Sequence, residues 1–174
     1  MNYLCTMICN PAASVAFTGH RTYCGQADDA LRRTVGELYA CGCRTFLSGM
    51  AVGFDLAAAE AVLACRRTLP DLRLVAVVPF EGQATRFSVE DRARFDRVMA
   101  AADETLVLSA AYHRGVYTVR NDYLVDHAAR LVAWFDGSPG GTLYTVRRAL
   151  RFGRRVDNLC SSGPLFPPPT PELF

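Results

Sequence analysis

Lysine is missing from this chain: all 19 basic residues among its 174 are arginine. Schiff-base chemistry on a side-chain amine and a phosphate-loop lysine are both thereby excluded. A charge excess is lacking too. With 19 basic against 17 acidic residues the net charge is +2, so the broad positive field of a dedicated nucleic-acid binder is not there and nucleic acid is not expected as a partner. No stretch of about eighteen apolar residues runs without a charge, which argues against a membrane span. The first thirteen residues have neither a basic start nor a sustained apolar stretch, so no secretory leader is read there and the expected location is the cytoplasm.

Paired cysteine motifs are absent as well. The seven cysteines (Cys5, Cys9, Cys24, Cys41, Cys43, Cys65 and Cys160) are odd in number and scattered through apolar segments. They read as reduced core residues, and with only His20, His113 and His127 to add, no zinc spacing emerges and no metal site is expected.

What is present is the composition of one ordinary domain, 51% hydrophobic and 21% charged. Short β-rich runs at Ser14–Thr18, Thr45–Leu47, Arg73–Val78, Thr105–Leu108, Arg130–Phe135 and Arg155–Leu159 alternate with helical patterns at Asp28–Cys41, Leu56–Arg67, Val89–Ala102, Val116–Ala128 and Thr142–Phe152. Most of the strands are apolar on both faces, as a strand covered by helices must be. The expectation is an α/β fold: a Rossmann-like, doubly wound, mostly parallel sheet of about six strands with helices on both faces. Residues 1–13 read as an N-terminal extension, residues 14–160 as the domain, and residues 161–174 as a proline-rich tail that can be neither helix nor central strand.

Ligands of open parallel sheets bind beyond the carboxyl ends of the strands, which directs attention to three glycine-bearing loops. These are Thr18-Gly19-His20-Arg21, the stretch Ser48-Gly49-Met50-Ala51-Val52-Gly53-Phe54-Asp55, and Asp136-Gly137-Ser138-Pro139-Gly140-Gly141-Thr142. Glycine lets backbone amides approach a phosphate, and the helix that follows adds the positive end of its dipole. None of the loops fits Gly-x-Gly-x-x-Gly, so an ordinary dinucleotide dehydrogenase is not supported. Arg21 and Arg120 are the candidate phosphate partners, because a guanidinium grips two oxygens at once. His20 could act as an acid or base near neutral pH or serve as a hydrogen-bonding loop residue. The five arginines Arg147, Arg148, Arg151, Arg154 and Arg155 read as a solvated face at a helix end. Among the aromatics, Tyr112 and Tyr117 flank a loop and helix start where a flat ring could stack.

These loops, together with Arg120-Asn121-Asp122-Tyr123, resemble the YpsA-like family of the SLOG superfamily, which also holds the DNA-processing protein DprA and the LOG phosphoribohydrolases. The resemblance implies a domain that senses or processes a nucleotide-derived ligand, such as a nucleoside phosphate or an ADP-ribose-like molecule, needs no other cofactor and pairs with itself. It carries over Ser48, Gly49, Gly53 and Asp55, the Arg120–Asn121 pair, and Gly140, Gly141 and Thr142, with Gly19, His20 and Arg21 from the first loop. LOG enzymes carry a glutamate where Thr145 stands here, so a phosphoribohydrolase activity would need another carboxylate. Asp55, in the first turn of its helix, is the candidate. The alternatives to binding alone are that hydrolysis and a DprA-like affinity for single-stranded DNA.

Overall fold

Alternation within the strands divides the core into two halves. In Val15-Ala16-Phe17 successive side chains leave the sheet on opposite faces, and Val15 and Phe17 join one apolar cluster while Ala16 joins the other. The same division holds for Phe46 against Leu47 and for Leu74 and Ala76 against Val75 and Val77. Two buried faces need two layers of helices.

A computed structural model describes residues 13–167 of the chain. In it β1 (Ser14–Gly19), α1 (Asp28–Ala40), β2 (Thr45–Ser48), α2 (Phe54–Cys65) and β3 (Arg73–Val78) lead through a short 3-10 turn (Gln83–Arg86) to α3 (Val89–Ala101). Then come β4 (Glu104–Val107), α4 (Val116–Asp126), β5 (Arg130–Trp134), α5 (Gly141–Arg151) and β6 (Arg155–Asn158). The six strands lie in the order β4-β3-β2-β1-β5-β6, and every pairing is parallel. Helix α2 packs between α1 and α3 on one face, and α4 packs on α5 on the other. This is the α/β, doubly wound fold expected. The direction of winding reverses between β1 and β5, which is where such sheets open a crevice at their carboxyl edge.

Expectations about the start of α2 and about the cysteines need correcting. Helix α2 begins at Phe54 rather than Leu56, because the Phe54 amide donates to the His20 carbonyl and the Leu56 amide to that of Ala51, winding the first turn earlier. The cysteines are not uniformly core: Cys43 and Cys160 are buried, but Cys24 and Cys41 are exposed, one in the β1–α1 loop and the other at the end of α1. Burial pushes the Cys43 and Cys65 thiols up. Cys5, Cys9 and most of the N-terminal extension lie outside the described residues, as do residues 168–174 of the tail. The described start of the tail turns back on the body, with Asn158 Nδ2 donating to Pro164 O at 3.0 Å and Phe166 packed against the second core cluster. No helix among the described residues is long and apolar enough to cross a membrane.

Candidate functional site

Each expected loop follows a strand at the carboxyl edge, and direct contacts join them. The Phe54 amide donates to His20 O at 3.3 Å, linking the β2–α2 loop to the β1–α1 loop. Gly53 makes that approach possible: its φ is +82°, and a Cβ there would lie 2.6 Å from His20 O and 2.7 Å from Arg21 O. Gly19 is just as confined, its added Cβ falling 2.4 Å from Phe54 Cβ. His20 Nε2 reaches across to the third loop, 2.8 Å from Asp136 Oδ1. Two hydrogen bonds from Ser138 hold the Asp136 carboxyl below the usual range, with the His20 charge adding to them.

Helix α4 closes the circle from the other face. Arg120 Nη1 donates to the Gly49 carbonyl and lies 3.8 Å from Asp55 Oδ2, while its Nε donates to Asn121 Oδ1 at 2.8 Å. Asn121 Nδ2 in turn borders Gly141, 3.6 Å from where a Cβ would stand. Ser48 Oγ donates to Asp55 O at 2.8 Å and accepts from the Met50 amide at 3.2 Å, fixing the tight start of the β2–α2 loop. Burial pushes the Asp55 carboxyl up to about 6 against the opposing pull of Arg120 and the Ala51 amide. Burial also lowers the Arg120 pKa, with Asp55 opposing.

Exposure then separates the two arginines. Arg120 is only 6% exposed, with two of its nitrogens committed within the protein, so it braces the loops. Arg21 is exposed, its guanidinium 5.6 Å from the centroid of the Tyr117 ring. At the third loop Gly140 has φ +144°, a Cβ there would meet nothing within 4 Å, and no side chain caps α5. Gly140 and Gly141 are exposed at the start of α5. Thr142 and Thr145 are buried, and the Thr145 hydroxyl donates to Gly141 O at 2.9 Å. That hydroxyl serves its own helix.

A cleft of about 900 Å³ opens beside Arg21 and Val52. Phe80, Tyr112 and Tyr117 wall it, with ring centroids 5.6 to 6.3 Å apart. Sequence reasoning reached Tyr112 and Tyr117 but missed Phe80 and Gln83, which both lie in the β3–α3 connection, Gln83 as the first residue of its 3-10 turn. A signal for them existed: that loop also follows a strand and carries Gly82, at φ +82°. Elsewhere the arginine cluster is partly neutralised, Arg148 standing within 3.2 Å of Asp122 and 2.8 Å of Asp126. Tyr144 is tied to the same acidic face, its hydroxyl donating to Asp122 at 2.7 Å. Glu60 pairs with Arg94 at 2.8 Å, away from Asp55.

Comparison with known proteins agrees with this architecture. An uncharacterised SPbeta prophage-derived protein, YoqJ, of Bacillus subtilis is 25% identical over 123 residues, 64% of this chain and 70% of that one. A UPF0398 protein of Halalkalibacterium halodurans is 28% identical over 123 residues, 69% of this chain and 65% of its own. Among solved structures, DNA processing protein A of Helicobacter pylori, described for its single-stranded DNA binding mode, superposes with a TM-score of 0.62 at 16% identity. That match covers 87% of this chain and 66% of the other. DprA of Streptococcus pneumoniae gives 0.57 at 21% identity, over 83% of this chain and 49% of its own. The chain thus spans about half to two thirds of those two structures, and the likeness is one of fold. The YpsA model matches residues 15–159, from β1 to just past β6, and the chain belongs to the family it describes, the YspA SLOG family.

Proposed function

We propose that this chain binds a nucleotide-derived ligand at the carboxyl edge of its sheet, with the phosphate over the glycine loops and Arg21 reaching it from the rim. The observation that carries this reading is the joining of the loops: His20 to Gly53 and Phe54, Gly49 to Arg120, and Asn121 to Gly141. Such a rim brings the glycine turns together with the starts of α2 and α5, where an anion would gain the positive ends of two helix dipoles. The adjoining cleft of about 900 Å³ is within the size range of small-molecule sites. A thermal-shift series with nucleoside mono- and diphosphates, NAD and ADP-ribose tests the proposal. A ligand at a hundred times its Kd stabilises by about 2.7 kcal/mol, so a rise in Tm of several degrees is expected, and no rise with any of them overturns it.

A second reading, single-stranded DNA binding, rests on the Helicobacter pylori neighbour and on the exposed Tyr112 in the same cleft as Arg21. The near-neutral net charge weighed against nucleic acid in the sequence, but it sums the whole chain, and acidic partners on α4 offset part of the α5 arginine cluster. A labelled oligothymidylate should then bind with an affinity that falls steeply between 50 and 200 mM salt, roughly tenfold or more. Phosphoribohydrolase activity has less support, since the Asp55 carboxylate is turned toward Arg120 and Thr145 toward Gly141. Release of free base from nucleoside monophosphates would be its signature.

A further inference from the structure

Asn121 carries an unspent donor. The residue is only 7% exposed, and its Oδ1 accepts from Arg120 Nε at 2.8 Å. Because that guanidinium nitrogen can only donate, the amide is fixed with its oxygen toward Arg120 and its Nδ2 turned away. Nδ2 lies at the start of α5, 3.6 Å from where a Cβ on Gly141 would stand, and it donates to nothing among the described residues.

A second such group stands next to Gly141. Thr142, in the first turn of α5, is also 7% exposed, and its hydroxyl has no partner among the described residues. Helical side chains lean toward the N-terminus of their helix, which tilts this one toward the exposed Gly140–Gly141 turn. Unlike Gln83 Oε1, neither atom is sealed from solvent. Polar groups this deeply set are normally satisfied, and here the partner has to come from outside.

The charge around the two groups says what would suit them. The start of α5 is the positive end of an eleven-residue helix that no side chain caps. The only carboxylate in the loop leading to it, Asp136, is already met by His20 and by two hydrogen bonds from Ser138. Arg120 and Asp55 offset one another. The fitting group is therefore an acceptor, and a negatively charged one gains most.

We propose that Asn121 Nδ2 and Thr142 Oγ1 donate to a phosphate group of the ligand at the N-terminus of α5. The inference rests on the nucleotide reading above and assigns its phosphate to one of the three glycine loops, the third, and to two named side chains.

Two near-isosteric changes test it. Asn121→Asp keeps an acceptor for Arg120 and turns the free donor into a carboxylate oxygen, and Thr142→Val removes the hydroxyl at nearly constant shape. Calorimetry on the full chain would titrate AMP, ribose 5-phosphate and adenosine into the wild type and both variants, with thermal denaturation to verify that each variant is folded. Asn121→Asp should weaken AMP and ribose 5-phosphate by about tenfold or more and Thr142→Val by about fivefold, while adenosine, where it binds, changes by less than about twofold. Should one variant fail to fold, the other decides alone. Phosphate ligands that stay within about twofold of the wild type in the folded variants overturn this subsite and leave the nucleotide reading standing, and so does an equal weakening of AMP and adenosine. Failure of every ligand with the wild type overturns both.

Discussion

The Arg120 guanidinium and the Asp55 carboxylate stand 3.8 Å apart where α4 meets the β2–α2 loop, with side chains only 7% and 6% exposed. A buried pair of this kind adds little net stability while intact, because removing two charges from water offsets their attraction. Breaking it is another matter.

Titration of Asp55 should be visible in the pH dependence of folding. Below the ordinary pKa of 3.8 the carboxyl is protonated in folded and unfolded chains alike. As the pH climbs toward about 6 the unfolded chain ionises while the folded one keeps its proton, so this group's contribution to stability falls, by about 3 kcal/mol in all. Asp55→Asn should therefore gain on the wild type between pH 4 and 7. Chemical denaturation at those two pH values checks it; a constant difference between the two proteins would contradict the assignment.

Removing only the cation should be costly. Arg120→Met leaves the Asp55 carboxyl buried without its partner and frees the Gly49 carbonyl, and a loss of about 3–5 kcal/mol is expected at pH 7. Adding Asp55→Asn to that variant should recover part of the loss. Urea titrations of both singles and the double give the coupling, which strict additivity would refute.

Two glycines should respond in opposite directions. Gly53→Ala forces a side chain onto φ +82° and into the carbonyls of His20 and Arg21, and should destabilise by at least about 2 kcal/mol. Gly36, in the middle of α1, has open space where a Cβ would go, so Gly36→Ala should stabilise by about 0.5–1 kcal/mol. Thermal denaturation of the two variants suffices.

Arg21 should matter to binding and hardly to folding. It is exposed, so Arg21→Ala should stay within about 0.5 kcal/mol of the wild type in urea. On the proposed function it should also lose about tenfold in affinity for the best nucleoside phosphate in the panel, and an unchanged affinity would take Arg21 out of the site.

The architecture was legible because the strand runs carry apolar residues on both faces, and burial on both faces is what a helix-covered parallel strand requires. Strand β4 was placed one residue late, at Thr105–Leu108 instead of Glu104–Val107. It is an edge strand whose residues alternate between half-buried and exposed, so its apolar pattern marks the register weakly. The glycine loops were found because a strand end followed by glycine is a local pattern. The direction of Arg120 is not legible: its sequence reads as a phosphate partner, and only the fold brings Asp55 against it from α2, two strands earlier in the chain. Gln83 was invisible for a similar reason, its partner being a backbone carbonyl of a loop 33 residues earlier.

A rim whose loops are cross-braced in this way has consequences for the thermodynamics of association. Segments already pinned by His20, Gln83, Arg120 and Asn121 have little freedom left to surrender when a small molecule arrives. On the proposed function, complex formation would then resemble a key entering a cut lock, with an entropic cost borne mainly by the guest.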